Sequence, residues 1–152
     1  MQFIVYDMEY TGAQIAAEPL PVIPFRAAYY PEYQRIYNEC FYEMRRALEI
    51  RPYHCCPDLQ QILKKQAQIF LLTDNDVLIG SVSISGTDID DLLVNPAFQG
   101  RGFGRRLLIW AINRIRETTD APIRLTAAEW NHRAVQLYTQ TGFAVTDKKQ
   151  IG

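Results

Sequence analysis

Residues 92–108 read Leu92-Leu93-Val94-Asn95-Pro96-Ala97-Phe98-Gln99-Gly100-Arg101-Gly102-Phe103-Gly104-Arg105-Arg106-Leu107-Leu108. The stretch opens as the end of a strand, Ile89 to Val94, which Asn95-Pro96 stops. After Gly102, the residues Phe103, Leu107, Leu108, Ala111, Ile112 and Ile115 recur as one apolar face of a long helix. A strand therefore passes through a glycine-bearing turn into a helix. The first N–H groups of a helix lack internal partners and carry partial positive charge. Gly100, Gly102 and Gly104 remove the side chains that would block an approaching phosphate, and Arg101 and Arg105, with Arg106 behind them, add full charges. That combination makes a pyrophosphate site.

The turn narrows the ligand. No GxxxxGK[ST] occurs, which disfavours a Walker-type nucleotide site. A dinucleotide fingerprint needs GxGxxG in the first βα unit and an acidic residue about 20 residues on. Here the third glycine comes too early, and antiparallel-type strands precede it. Coenzyme A, which also carries a pyrophosphate, remains.

Working outward, Phe3 to Met8 reads as a strand and Val22 to Ala27 as a second, across a loop with Pro19, Pro21 and Pro24. Pro31 suits a first helical turn. Tyr33, Ile36, Tyr37, Cys40, Phe41, Met44 and Leu48 then give one helical face, which Pro52 limits. Pro57-Asp58 opens a short helix to about Lys65. Ile69–Thr73 and Val77–Ser85 are strands around the turn Asp74-Asn75-Asp76, and Ile123–Ala127 is another. Asn131 can cap a helix to about Thr141, Gly142 suits its end, and Phe143–Thr146 is a last strand. The order describes a mixed α/β domain with helices packed on a central sheet.

The segment Leu92 to Leu108 resembles the acetyl-CoA motif of the GCN5-related N-acetyltransferases, whose signature is Q/R-x-x-G-x-G/A; Gln99, Gly102 and Gly104 match it without gaps. Asn131, Tyr138, Gly142 and Phe143 match the family's second landmark in order and spacing. The similarity covers about Ile69 to Thr146. It implies a mostly antiparallel sheet, splayed at the acetyl-CoA site, with helices on both faces, formed by residues 1–152 as a single domain. It also implies an N-acetyltransferase using acetyl-CoA on a primary amine of a small molecule or peptide. Leu92 and Val94 would offer backbone groups to the pantetheine, with the Leu92 N–H near the thioester carbonyl. Gln99, Gly100, Arg101, Gly102, Phe103, Gly104 and Arg105 would hold the pyrophosphate, and Asn131 would sit beside the pantetheine arm. Tyr138 would be the general acid for the departing thiolate.

Each role has a plainer reading. Asn131 serves equally as a helix cap, and Tyr138 shares a helical face with Ala134, Leu137 and Thr141 as a core aromatic would. Asp90, Asp91 and Glu129 are candidates for the general base, though each fits a solvated strand end. His54 and His132 rank low for that role. Tyr29, Tyr30, Tyr33, Tyr37, Phe41 and Tyr42 cluster in and before the first long helix, most as core, with one or two available to line an acceptor pocket. Arg45, Arg46 and Arg51 read first as charges solvating the helix surface and second as attraction for an acidic acceptor.

One departure stands out. The family ends in two strands joined as a hairpin, whereas only six residues, mostly polar, follow Thr146 here, too few for the second strand. We expect Phe3–Met8, or a second copy of the chain in a homodimer, to cover the bare sheet edge. A non-catalytic acyl-CoA sensor is the alternative function.

Composition excludes other classes. The net charge of −1 argues against a general nucleic-acid binder. No apolar run approaches the roughly 20 residues of a membrane span, and the start lacks the basic and apolar regions of a signal peptide. Cys40, Cys55 and Cys56 have no metal-ligand spacing; they are expected to be reduced thiols of a cytoplasmic protein without bound metal.

Overall fold

Local signals start and stop the helices. The computed structural model describes residues 1–152. Pro31 occupies the first turn of α1 (Tyr30–Ala47), where a missing N–H costs nothing. Glu32 in that turn and Arg45 and Arg46 in the last match the helix dipole. Asp58 caps α2 (Leu59–Lys64) reciprocally: the Gln61 N–H donates to its carboxylate at 2.9 Å, and its own N–H donates to Gln61 Oε1 at 3.1 Å. Helix α3 spans Phe103–Arg116 and α4 spans His132–Thr141. The Ala134 N–H donates to Asn131 Oδ1 at 3.3 Å, so the cap reading of Asn131 holds. Gly142, at φ 120°, ends α4. No helix is long and apolar enough to cross a membrane.

Seven strands form one sheet: β1 (Phe3–Tyr10), β2 (Val22–Pro24), β3 (Ile69–Asp74), β4 (Val77–Ser85), β5 (Asp88–Val94), β6 (Ile123–Ala128) and β7 (Ala144–Ile151). Their order is β2-β3-β4-β5-β6-β1-β7. All neighbours are antiparallel except β5 and β6. On one face, Leu107, Leu108 and Ile112 of α3 pack with Met8, Val82 and Leu125, and Leu137 and Tyr138 of α4 lie against them. On the other, Tyr33, Ile36 and Ile62 of α1 and α2 pack with Leu71, Leu78 and Leu93. Each large apolar side chain so buried contributes about 1.5–3 kcal/mol. The mixed α/β architecture with helices on both faces is therefore the expected one.

Three boundaries differ from expectation. Strand β2 is three residues long rather than Val22 to Ala27, because residues 27–29 form a 3₁₀ turn that feeds α1. Strand β7 does not stop at Thr146: Asp147 to Ile151 continue it, all exposed. Their polarity suits an edge strand, where lysines discourage further pairing. Strand β1 does pair with β7, as expected, but from inside the sheet, with β6 on its other side. A strand from the N-terminus thus supplies the partner that β7 lacks from the C-terminal side.

The connection after β1 is strapped to α3. Asn113 and Ile15 exchange two hydrogen bonds of 2.8 Å. The buried Arg116 guanidinium donates to the carbonyls of Gly12, Ala121, Thr119 and Tyr10. A buried cation saturated by carbonyls in this way is tolerated where an unpaired one is not.

Strands β5 and β6 pair only at Asp88 and Arg124, where the Arg124 N–H donates to Thr87 O at 2.9 Å. Beyond that point they part. Strand β5 also carries a bulge: Ser81 pairs with Leu93 and Ser83 with Asp90, so Asp91 and Leu92 together oppose Val82. Asp91 takes φ 46°, the left-handed region.

Met8 is fully buried on the strand that joins β6 to β7. Met8→Ala is expected to lower the unfolding free energy by about 2–5 kcal/mol, read as a lower urea midpoint at unchanged slope.

Candidate active site

The parting of β5 from β6 leaves two adjoining cavities. One, of about 370 Å³, runs from Leu92 and Val94 to the glycine turn and the first turns of α3 and α4. The other, of about 330 Å³, lies between α1, β5, β6 and the start of β1. Phe41, Leu92, Asn131, Ala134 and Tyr138 line both.

The ladder itself opens β5 toward the gap. The Asn95 N–H donates to Ile79 O at 2.8 Å, so Asn95 is bonded to β4. Antiparallel alternation then turns the Val94 backbone groups away from β4. The Val94 carbonyl indeed accepts from Gln99 Nε2 at 3.0 Å and from the Cys40 thiol at 3.3 Å. Buried Asn95 pins the following turn, donating to Leu78 O at 3.0 Å and accepting from the Ala97 N–H at 3.1 Å.

Gly100 and Gly102 have φ of 79° and 83°, and a Cβ on either would meet open space. Their backbone, not packing, calls for glycine. Gly104 has an ordinary φ, but a Cβ there would enter the cavity lining, 3.6 Å from Val94 Cγ2 and 3.7 Å from Leu137 Cδ2. Gln99, Gly100, Gly102, Phe103 and Gly104 all line the cavity. The Arg101 and Arg105 side chains do not: Arg101 stacks over the Phe98 ring at 5.4 Å, and Arg106 over Phe103 at 5.5 Å.

The arginine that does line it is Arg133, in the first turn of α4. Sequence reading missed it because nothing local marks α4 as converging on the same space as α3. Leu137 of α4 was missed as a lining residue for the same reason, and Cys40 of α1 and Phe98 before α3 also line the cavity.

The bulge governs the second cavity. Ile89 belongs to the α3-side core and Leu93 to the α1-side core, although four residues apart they would share a face in an unbroken strand. The extra residue reverses the alternation, and both Asp90 and Asp91 come to line the cavity. Burial pushes the Asp91 carboxyl up to about 6; the like charge of Asp90 adds to this, while Lys65 and Arg45 oppose it. Tyr138 packs edge-on to Phe143, with ring centroids 6.1 Å apart. Burial pushes its hydroxyl up to about 12, with Asp90 contributing.

The other candidates lie elsewhere. Glu129 accepts a hydrogen bond from the Tyr6 hydroxyl and lines a separate hollow with His132. His54 stacks on Tyr42 at 4.6 Å, outside both cavities. Of the aromatic group, Tyr33 is core, Tyr37 and Phe41 reach the second cavity, and the rest do not. No group of three or more His, Cys, Asp or Glu side chains is placed to hold a metal ion.

Sheet, splay and glycine turn define an acyltransferase fold. The model of the acetyltransferase (GNAT) family matches residues 28–143, and the chain belongs to that family. Two similar proteins are named peptidyl-lysine N-acetyltransferase YjaB. That of Salmonella typhimurium is 31% identical over 81 residues, 53% of this chain and 52% of that protein. That of Escherichia coli is 28% identical over 95 residues, 62% of this chain and 61% of that protein. The matches thus take in only about half to three fifths of these relatives' length. A solved GNAT-family acetyltransferase from Colwellia psychrerythraea shares the fold at a TM-score of 0.70, with 9% identity, over 99% of this chain and 55% of that one.

Because Gly102 needs its backbone conformation and not its size, Gly102→Ala is expected to cost about 1 kcal/mol. Calorimetry should show a melting temperature lower by a few degrees.

Proposed function

We propose that residues 1–152 act as one catalytic domain, an N-acetyltransferase that moves the acetyl group of acetyl-CoA to a primary amine. One observation carries this reading: a cavity ending at two helix N-termini meets a cavity holding two carboxylates, and Leu92 and Tyr138 stand in the shared wall. The residues suit the donor. The left-handed backbone at Gly100 and Gly102 leads into the first turn of α3, whose unpaired N–H groups beside the cavity favour a pyrophosphate. Arg133 adds a full charge there. The Val94 backbone faces the pantetheine arm, Asn131 flanks it, and the Leu92 N–H serves the thioester oxygen as negative charge develops on it.

Acetyl-CoA supplies an activated acyl carbon. A carbon–nitrogen bond forms as the carbon–sulfur bond breaks. Asp91, ionised above a pH of about 6, takes the first proton from the acceptor ammonium. Tyr138 stays protonated through the neutral range and donates to the leaving sulfur. Full transfer to a thiolate with an ordinary pKa of about 8.5 is uphill from such a phenol. The second proton shed by the nitrogen therefore restores Tyr138 as the thiol forms. A cytoplasmic setting suits three cysteines without disulfides.

The relatives' names specify a lysine amine, itself a primary amine. The alternative of a sensor without turnover leaves the acid pair in the second cavity unexplained.

Two measurements test the reading. Tyr138→Phe should lower kcat about a hundredfold while acetyl-CoA affinity changes little; unchanged turnover at saturating substrate removes Tyr138 from the mechanism. Since a base works only when ionised, kcat/KM for the acceptor should fall as pH drops through about 6. Asp91→Asn should abolish that limb, and a limb that persists in the variant argues for another base.

A further inference from the structure

Arg45 is the one cation lining the second cavity. Its Nε is shut off from solvent and has no hydrogen-bond partner. Its Nη1 reaches only the Pro52 carbonyl, at 3.4 Å. A buried guanidinium donor left unpaired is unfavourable unless something supplies an acceptor. The carboxylates nearby do not: the ion pairs of the chain do not include Arg45 with Asp90 or Asp91. The guanidinium and the Asp91 carboxylate feel each other's charge without touching. Phe3 of β1 and Phe41, Met44 and Leu48 of α1 and its end line the same cavity.

Opposite charges that line one small cavity without pairing match the two ends of a zwitterion. We infer that the acceptor is a free amino acid with an apolar side chain, whose carboxylate Arg45 binds while Asp91 faces its ammonium. Arginine suits this role because its planar fork matches a carboxylate. A cavity of about 330 Å³ is of small-molecule size. Phe3 and Val5 of strand β1 complete its lining. The inference rests on the acetyltransferase reading and narrows its acceptor.

The test uses matched amines that differ only in the carboxylate: L-phenylalanine and 2-phenylethylamine, L-methionine and 3-(methylthio)propylamine, L-leucine and 3-methylbutylamine. A lysine peptide blocked at both ends is included. Thiol release from acetyl-CoA is followed for each. In the best pair, kcat/KM should favour the amino acid by about ten- to a hundredfold. Arg45→Met should collapse that ratio toward one, mainly through KM for the amino acid. Arg45→Lys, which keeps the charge, should retain part of it and covers the case in which Arg45→Met fails to fold. Equal turnover within every pair, or turnover of the lysine peptide alone, overturns the inference and leaves the acetyltransferase reading standing. Acetyl-CoA binding with no thiol release for any amine overturns that reading and the inference with it.

Discussion

Strands β5 and β6 are joined at a single residue pair, Asp88 and Arg124, and everything at the site follows from their separation beyond it. Two parallel strands that stayed paired would consume each other's backbone groups. Parting leaves the Val94 carbonyl to be held by Gln99 and Cys40 and opens space that α3 and α4 reach with their first turns. Unpaired backbone in a folded interior needs compensation. The Gln99 amide, the Cys40 thiol and the buried Asn95 supply it locally, without closing the gap.

The bulge at Asp91 divides the site by charge. One extra residue in β5 turns Leu93 to the α1 side and brings Asp90 and Asp91 into one cavity. The opposite end has helix N-termini and Arg133. An anionic donor and an ammonium acceptor would therefore enter from different ends and meet at Leu92 and Tyr138. Electrostatics of this kind discourages each ligand from the other's place. Arg45 is the exception among acids, and its buried Nε, left without a partner, calls for a ligand group.

The sheet's completion links the fold to the second cavity. Strand β1 pairs with β6 and β7 along its length, while its first residues, Phe3 and Val5, line the cavity. The straps from Asn113 and Arg116 hold the chain that leaves β1 against α3.

Much of this was legible in the residues alone. The glycine turn, the helix face beginning at Phe103, the Asn131 cap and the terminal Gly142 are local signals, because each depends on backbone chemistry within a few residues. They sufficed for the fold class and the family. The sequence could not say that β1 lies inside the sheet, that Asp147 to Ile151 extend β7, or that Glu129 is taken by Tyr6 while Asp91 faces the cavity. Nor could it separate Arg133 and Arg45 from the other arginines. Those outcomes depend on strand pairing across more than a hundred residues and on one bulge that reverses a face. Side-chain period along a strand is local, but which neighbour a strand meets is decided only when the whole chain packs.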